Sequence, residues 1–556
     1  MDYRDYIANK LNTEEVTSAD IILPPNSEMG DYALPCFKLA KVFRKSPVQI
    51  AEELKNSFAV DEFISEVSAV NGYLNFKVNK AGLANDVLTR IANEGGGYGS
   101  SDIGNGKTVC IDYSSVNIAK PFHIGHLSTT VLGGSLYKIY KFLGYNVVGI
   151  NHLGDYGTQF GKLICAYKKW GNKEEVEKGG IHAINALYVR FNEEADEKME
   201  AEAREYFRLI ESGDKEANDL FEWFKKLTLD YVQTIYEKLN ITFDSYAGER
   251  FYTDKMQPVI DELKAKNLLK ESEGASIVDL EPYGMPPCLI LRSDGATLYA
   301  TRDLAAAIYR KNTYDFYKCL YVVAYQQNLH FKQVFKVLEL MGKEWAKDMV
   351  HVAYGMVSLE DGAMSTRKGK VVWLEDVIAR CVEKAYAVID EKNHALENKE
   401  EIAKTVGLGA VIFGALYNNK IKDIVFSYDK VLSFDGETSV YVQYTCARAN
   451  SVLAKSGVKA NLPKEGYEPN PQESEVVKTL AAFPQTVFDA AEKYEPSLIA
   501  RYAVDLAQKY NKFYIDCKIL TADGDAKDFR LALTAATLQT LKNALSLLGI
   551  GVPEKM

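Results

Sequence analysis

The chain of 556 residues contains no Cys-x-x-Cys pair; its eight cysteines, at positions 36, 110, 165, 288, 319, 381, 446 and 517, stand singly. That spacing argues against a zinc knuckle, and isolated cysteines without an export signal fit a reducing compartment. Long apolar runs are missing too. The longest, Val406 to Tyr417, carries three glycines and falls short of the roughly 20 residues that span a bilayer; it reads as a buried helix. The charged start, Met1-Asp2-Tyr3-Arg4-Asp5, has no signal-peptide core. A cytoplasmic protein with no membrane partner is expected. Internal repeats and low-complexity stretches are absent as well. Basic residues are not in excess: the net charge is −10, so composition alone does not suggest RNA or DNA. Polyanion binding needs only a local patch of Lys and Arg, however. The balance of 47% apolar and 26% charged residues is that of an ordinary globular protein, and the length calls for three or four domains.

Along the chain, residues 1–94 read as an α+β unit, with an amphipathic helix at Ser46–Phe58 and a strand at Gly72–Val78. The glycine-dense Glu94–Ser101 buries little and marks a boundary. A second domain is expected over 106–370. In it the strand Thr108–Tyr113, a helix bearing Leu127, Val131, Leu136, Ile139, Tyr140 and Leu143, and the strand Val147–Ile150 form a βαβ unit, hence a doubly wound, Rossmann-like parallel sheet. Gly144 stands at the C-cap of that helix. The charged stretch of about 167–240 reads as a helical insertion. Strand-like runs return at 289–291, 320–323 and 350–352. Helices dominate afterwards: a connecting segment over 371–430, then an all-α domain over 431–556, broken by a Pro-bearing loop at 462–472.

The segment Val116-Asn117-Ile118-Ala119-Lys120-Pro121-Phe122-His123-Ile124-Gly125-His126 falls between the first strand and the first helix of the βαβ unit. A helix start offers unpaired N–H groups and a positive dipole end to phosphate. Gly125 lets a nucleotide approach the backbone, and two imidazoles can donate to phosphate oxygens as charge builds. Two histidines capping a helix end would look the same in isolation; the place after a buried strand favours chemistry.

His123-Ile124-Gly125-His126 resembles the "HIGH" signature of class I aminoacyl-tRNA synthetases. The longer Ser114–His126 string resembles the arginyl branch of that class. So do Asn151–Gly161, Ser293–Ala305, Gln326–Phe331, Glu495–Tyr502 and the closing Pro553-Glu554-Lys555-Met556, so the resemblance covers essentially the whole chain. The lysine loop of the class is similar to Ala363-Met364-Ser365-Thr366-Arg367-Lys368-Gly369, with alanine and threonine where lysines are usual. A compact ammonium is needed near the pyrophosphate. Lys368 can supply it; the resemblance implies Lys120 as a second source.

The resemblance implies ATP-dependent charging of tRNA(Arg) with L-arginine by a monomer in protein biosynthesis, with a "HIGH"-type catalytic domain and an anticodon-binding helical domain. Mg2+ would arrive with the nucleotide; no protein-ligated metal and no zinc are expected. Transfer RNA is implied as a requirement of the first step. His123, His126, Lys120 and Lys368 would be catalytic, and Gly125, Met364 and Ser365 would join them around ATP. A guanidinium demands forked carboxylates, and Asp112 lies at a strand C-end where such sheets open to ligands. In the family the positions matching Asp112, Asn117, Tyr299, Asp303 and Gln327 line the amino-acid site, with Asn117 at the α-amino end and Tyr299 and Asp303 at the guanidinium. His152 is expected alongside them, role unassigned. Taken alone, Asp303 is more often a helix N-cap, Asp112 is as readily a strand-end turn residue as a ligand, and His330 and His351 are merely satisfied or exposed. For RNA, the positions matching Asn71, Tyr73 and Asn75 would meet the D-loop, and Tyr510 is a candidate to stack on an anticodon base, although most of its helical stripe must be core.

Overall fold

The computed structural model describes residues 3–24, 29–292, 299–359, 372–457 and 466–556. Contacts divide the chain into two units: one of residues up to Tyr98 with 448–483 and 505–541, the other of 99–447, 484–504 and 542–556. The helical C-terminal third is therefore shared between both units.

In the first unit β1 (Tyr32–Pro35), β2 (Ile64–Val70) and β3 (Tyr73–Val78) form an antiparallel sheet in the order β1-β3-β2. Asn71 and Gly72 join β2 to β3, both at positive φ (51° and 82°), the pair that a tight hairpin turn requires. The expected helix runs from Pro47 to Ser57, and Ser46 caps it by accepting from the Gln49 N–H at 3.3 Å. The glycine-dense stretch expected to bury little is ordered and partly buried. A helix runs from Lys80 to Glu94, a 3-10 turn takes Gly95–Gly97, and Tyr98 is buried, donating to the Leu480 carbonyl at 2.9 Å. The unit border falls immediately after it.

The second unit is built on a parallel sheet of β4 (Thr108–Asp112), β5 (Asn146–Ile150), β9 (Lys318–Ala324) and β10 (Met349–Tyr354), ordered β10-β9-β4-β5. The strand order reverses between β4 and β9, which places the ligand crevice at their C-ends. The crossover helix Leu127–Phe142 lies close on the sheet: a side chain at Gly133 would stand 2.2 Å from Tyr113. Gly144 follows at φ +79°, as a helix stop requires.

Between β5 and the next strand run four helices, Gln159–Trp170, Lys173–Glu194, Glu197–Ser212 and Lys215–Lys238. Asn172, Asp196 and Asp214 cap the last three by accepting backbone N–H bonds. The strand expected at 289–291 forms but does not join the parallel sheet. As β8 (Cys288–Leu291) it pairs antiparallel with β7 (Ala275–Val278), itself paired with β6 (Leu269–Ser272). The link from β7 to β8 is too short for a parallel crossover, which needs about a dozen residues or more. A buried helix does cover most of Val406–Tyr417: it spans Lys399–Leu416, and Gly407 lets it close on Val382. Among the described residues no helix is long and apolar enough to cross a membrane.

Candidate functional site

Past Asp112 the chain takes three left-handed turns at non-glycine residues, Ser114 (φ 68°), Ser115 (47°) and Ala119 (61°). Each such residue costs about 1–3 kcal/mol and persists only where its surroundings hold it. They do so here. The Ser114 N–H donates to Thr129 Oγ1 at 3.0 Å, and the Ala119 N–H to Thr228 Oγ1 at 3.1 Å. Tyr236 bonds the Ser114 hydroxyl at 2.8 Å and the Asn151 amide at 2.9 Å. Thr228 and Tyr236 both belong to the insertion helix Lys215–Lys238. The loop also zips onto the one after β5: the Gly154 N–H donates to the Val116 carbonyl at 2.9 Å, and the Ile118 N–H to the Gly154 carbonyl at 3.2 Å. A side chain at Gly154 would stand 2.3 Å from Asn117 Oδ1, so Asn117 keeps its place only beside glycine.

The helix start that follows is capped by its own imidazoles. His123 Nδ1 accepts from the Gly125 N–H at 3.0 Å, and His126 Nδ1 accepts from the His123 N–H at 3.2 Å. With both Nδ1 atoms engaged as acceptors, each neutral ring carries its proton on Nε2, where it can donate. Burial keeps both rings neutral, pushing His123 down to about 4 and His126 to about 3. Capping and phosphate binding are thus compatible roles of the same side chains. The segment after residue 371 pairs with this start: Ile124 N–H donates to Val372 O at 3.2 Å, and Leu374 N–H to Phe122 O at 3.0 Å. Between those bonds, Trp373 packs on His182 at 4.1 Å and edge-on to Tyr231 at 5.7 Å, while His182 Nε2 bonds Glu375 at 2.9 Å.

At the acidic end the structure redistributes the expected roles. Asp112 is buried in an ion pair with Arg310 at 2.7 Å, both side chains under a tenth exposed. Its other oxygen accepts from the Ser115 hydroxyl at 2.8 Å, so the strand-end turn contact forms as well, and the carboxylate is shared between a buried cation and the turn that follows β4. Arg310 also donates to His152 Nδ1 at 3.3 Å, and His152 stacks on Tyr252 at 5.5 Å. Asp303 is not an N-cap: the helix Tyr299–Tyr314 is under way one turn before it. Tyr299 and Asp303 therefore share a helical face, with Tyr299 68% exposed. His330 Nε2 bonds Asp303 at 2.6 Å, so that histidine is satisfied, but by a candidate site residue. Burial pushes the Asp303 carboxyl up; the His330 bond and the charges of His152 and Arg310 outweigh it and hold it below its ordinary value.

Glu249 is the carboxylate that sequence reasoning missed. Burial raises it to about 7 even though Arg302 pairs with it at 2.9 Å, and the charges of Asp303, Asp155 and Lys120 all reach it. Its N–H donates to the Leu153 carbonyl at 2.9 Å, and the Arg250 N–H to Asp155 Oδ1 at 2.9 Å. Asp155 is further bound by Lys225 at 2.8 Å. Nothing in Ala247-Gly248-Glu249-Arg250 marks it as a site; only its pairing with the loop after β5 does. The charge of Lys120 acts on both His126 and Glu249. Gln327 closes an exposed 3-10 turn after β9. Met364, Ser365 and Lys368 lie outside the described residues, as do residues 293–298.

Three family descriptions match the chain: "tRNA synthetases class I (R), catalytic domain" over residues 88–428, "DALR anticodon binding domain" over 442–556, and "Arginyl tRNA synthetase N terminal domain" over 2–78. An arginine–tRNA ligase of Alkaliphilus metalliredigens is 54% identical over 539 residues, covering 96% of this chain and 95% of its own. This chain is an arginyl-tRNA synthetase family member. A second family relative, the arginine–tRNA ligase of Halothermothrix orenii, is 53% identical over 551 residues, 99% of this chain and 97% of its own. The arginyl-tRNA synthetase structure from Thermus thermophilus superposes with a TM-score of 0.87 at 28% identity, covering 100% of this chain and 99% of that one.

The RNA-contact expectations fall in three kinds of place. Asn71 is exposed at the hairpin tip, and Tyr73 beside it packs edge-on to Phe37 at 5.2 Å. Asn75 is only 2% exposed, and neither side-chain atom has a hydrogen-bond partner. Tyr510 is fully buried, its hydroxyl 3.5 Å from Thr534. A core ring cannot stack on a base; on the same helix Tyr514, at 40% exposed, can.

Proposed function

We propose that this chain activates L-arginine with ATP and transfers the arginyl group to the 3′ end of tRNA(Arg), working as a cytoplasmic monomer. The observation that carries the reading is one crevice with two chemically opposite ends. At one end the start of the crossover helix presents the Nε2–H donors of His123 and His126. At the other, Asp303 and Glu249 share a negative field.

ATP lies with its phosphates at the helix start, against Gly125, His123 and His126, with Lys120 nearby and Lys368, Met364 and Ser365 completing the grip. Mg2+ would come with the nucleotide and offset its phosphate charge. Asn117 holds the α-amino end of arginine, while Asp303, Glu249, Tyr299 and Gln327 take its guanidinium. Asp112 acts through Arg310, which fixes His152, and is a positioning residue. An arginine carboxylate oxygen attacks the α-phosphate, and the bond to pyrophosphate breaks. A ribose hydroxyl of the terminal adenosine then attacks the activated carbonyl, and AMP leaves. No covalent enzyme intermediate is required. Rate comes from positioning and from fixed donors facing the developing phosphate charge. The hairpin tip at Asn71 and Tyr73 and the C-terminal helices meet the RNA at a distance from this crevice in sequence.

The test is arginine-dependent exchange of pyrophosphate into ATP, run with and without tRNA, together with calorimetry on Asp303→Ala. That variant is expected to lose arginine binding and keep ATP binding. Unchanged arginine affinity would remove the assignment of the acidic end.

A further inference from the structure

Next to the crevice lies a cavity of about 210 Å³, walled by Tyr156, Phe207, Glu211, Phe221, Arg250 and Thr253. The catalytic residues above do not use it. It is smaller than the roughly 300 Å³ at which small-molecule sites begin, so a nucleoside triphosphate or an aminoacyl-adenylate is too large for it. Its walls are aromatic: Phe207 meets Tyr156 edge-on at 5.3 Å, and the Arg250 guanidinium lies over Phe221 at 4.4 Å. Its polar atoms are of opposite kinds. Glu211 is exposed and accepts from the Tyr156 hydroxyl. Arg250 donates to Asn218 through Nη2, while its buried Nη1 has no hydrogen bond and stands 3.5 Å from Glu222. The cavity adjoins the acidic end through two residues. Asp155 lines it and fixes the Arg250 backbone, and Tyr156 carries Arg302, the partner of Glu249, over its ring at 4.3 Å.

From this we infer that the cavity takes one unpaired, amino-bearing base, cytosine or adenine, of the single-stranded RNA acceptor end. The inference rests on the charging reaction proposed above, which must bring that strand to this crevice. Unpaired bases stack on aromatic rings and are read along their edges. A carboxylate accepts from the exocyclic amine. Glu211 supplies that acceptor, and the Arg250 guanidinium, held by Asn218 and laid over Phe221, closes the wall behind the ring.

The test measures equilibrium binding of the full chain to intact tRNA(Arg) and to the same tRNA trimmed of its unpaired 3′ nucleotides. Phe207→Ala is expected to weaken intact tRNA by about 5- to 150-fold, the loss of one base–aromatic stack, and to leave trimmed tRNA unchanged. Glu211→Gln, an exposed and conservative change, should weaken the intact RNA alone by several-fold. Equal losses on both RNAs, or no loss on the intact one, would overturn the assignment. Failure of the unaltered protein to bind either RNA would instead defeat the charging reaction on which the inference stands.

Discussion

The two ends of the crevice are held together over very different distances along the chain. At the phosphate end each imidazole is fixed by an amide two or three residues away, His123 by Gly125 and His126 by His123. At the acidic end the fixing partners are remote. Asp303 bonds His330, 27 residues on; Glu249 pairs with Arg302, 53 residues on; and Asp112 meets Arg310 across the sheet edge. The helix start is therefore a local device that a short string specifies, whereas the acidic wall exists only once β4, β5, β9 and the helix Tyr299–Tyr314 have assembled.

That contrast predicts which substitutions damage the fold and which damage only the chemistry. The largest stability effect is expected for Asp112→Ala, which strands a buried guanidinium and should cost about 3–5 kcal/mol, read as a lower denaturant midpoint. If Asp112→Ala leaves stability intact and raises only the arginine KM, Asp112 contacts substrate and the division between the ends fails. His123→Asn retains a side-chain oxygen to cap the helix and removes the Nε2–H. It should keep the fold and lower kcat by about 10²–10³-fold, the worth of one preorganised donor. Equal loss in kcat and in thermal stability would make the histidine structural.

A pH profile sharpens the comparison. His123 and His126, at about 4 and 3, stay neutral throughout the working range, whereas Glu249 titrates near 7. Its ionised form attracts a guanidinium, so arginine affinity should fall as pH drops through 7, and Glu249→Gln should flatten that dependence while lowering affinity. For stability the two ends also differ in sign. A histidine depressed in the fold contributes stability above its unfolded value of about 6.5, and that contribution is lost as pH falls from there towards 4. Glu249, raised in the fold, favours the folded state below its unfolded value, and its contribution is lost as pH rises through about 7. The smallest effect is expected at Trp373, wedged between His182 and Tyr231. Trp373→Ala should lower kcat with little change in either substrate KM, and Trp373→Phe should restore most of it.

Much of the phosphate end was legible in the string itself. A buried strand, Ser114–His126 and the amphipathic helix after it led to β4, the capped start and Leu127–Phe142, because each depends on neighbours in sequence. Hidden there were the left-handed residues Ser114, Ser115 and Ala119, whose strain is carried by Thr129, Thr228 and Tyr236. Two of those supports come from an insertion whose sequence looks like nothing more than a charged helix. The acidic end was half legible. Tyr299 and Asp303 were legible as a pair, but the buried pairing of Asp112 with Arg310 was not, and Glu249 was passed over. Tyr510 fell to the same ambiguity: an aromatic on a helical stripe does not announce whether it faces core or solvent.

What the sequence determined by itself was most of the elements, the place of the helix start and the family, since these follow from periodicity, turn residues and contiguous strings. What only the tertiary structure decided was which charges cancel one another and which remain to meet a ligand. Burial and pairing fix the state of a carboxylate, and the partners that bury and pair it arrive from anywhere in the chain.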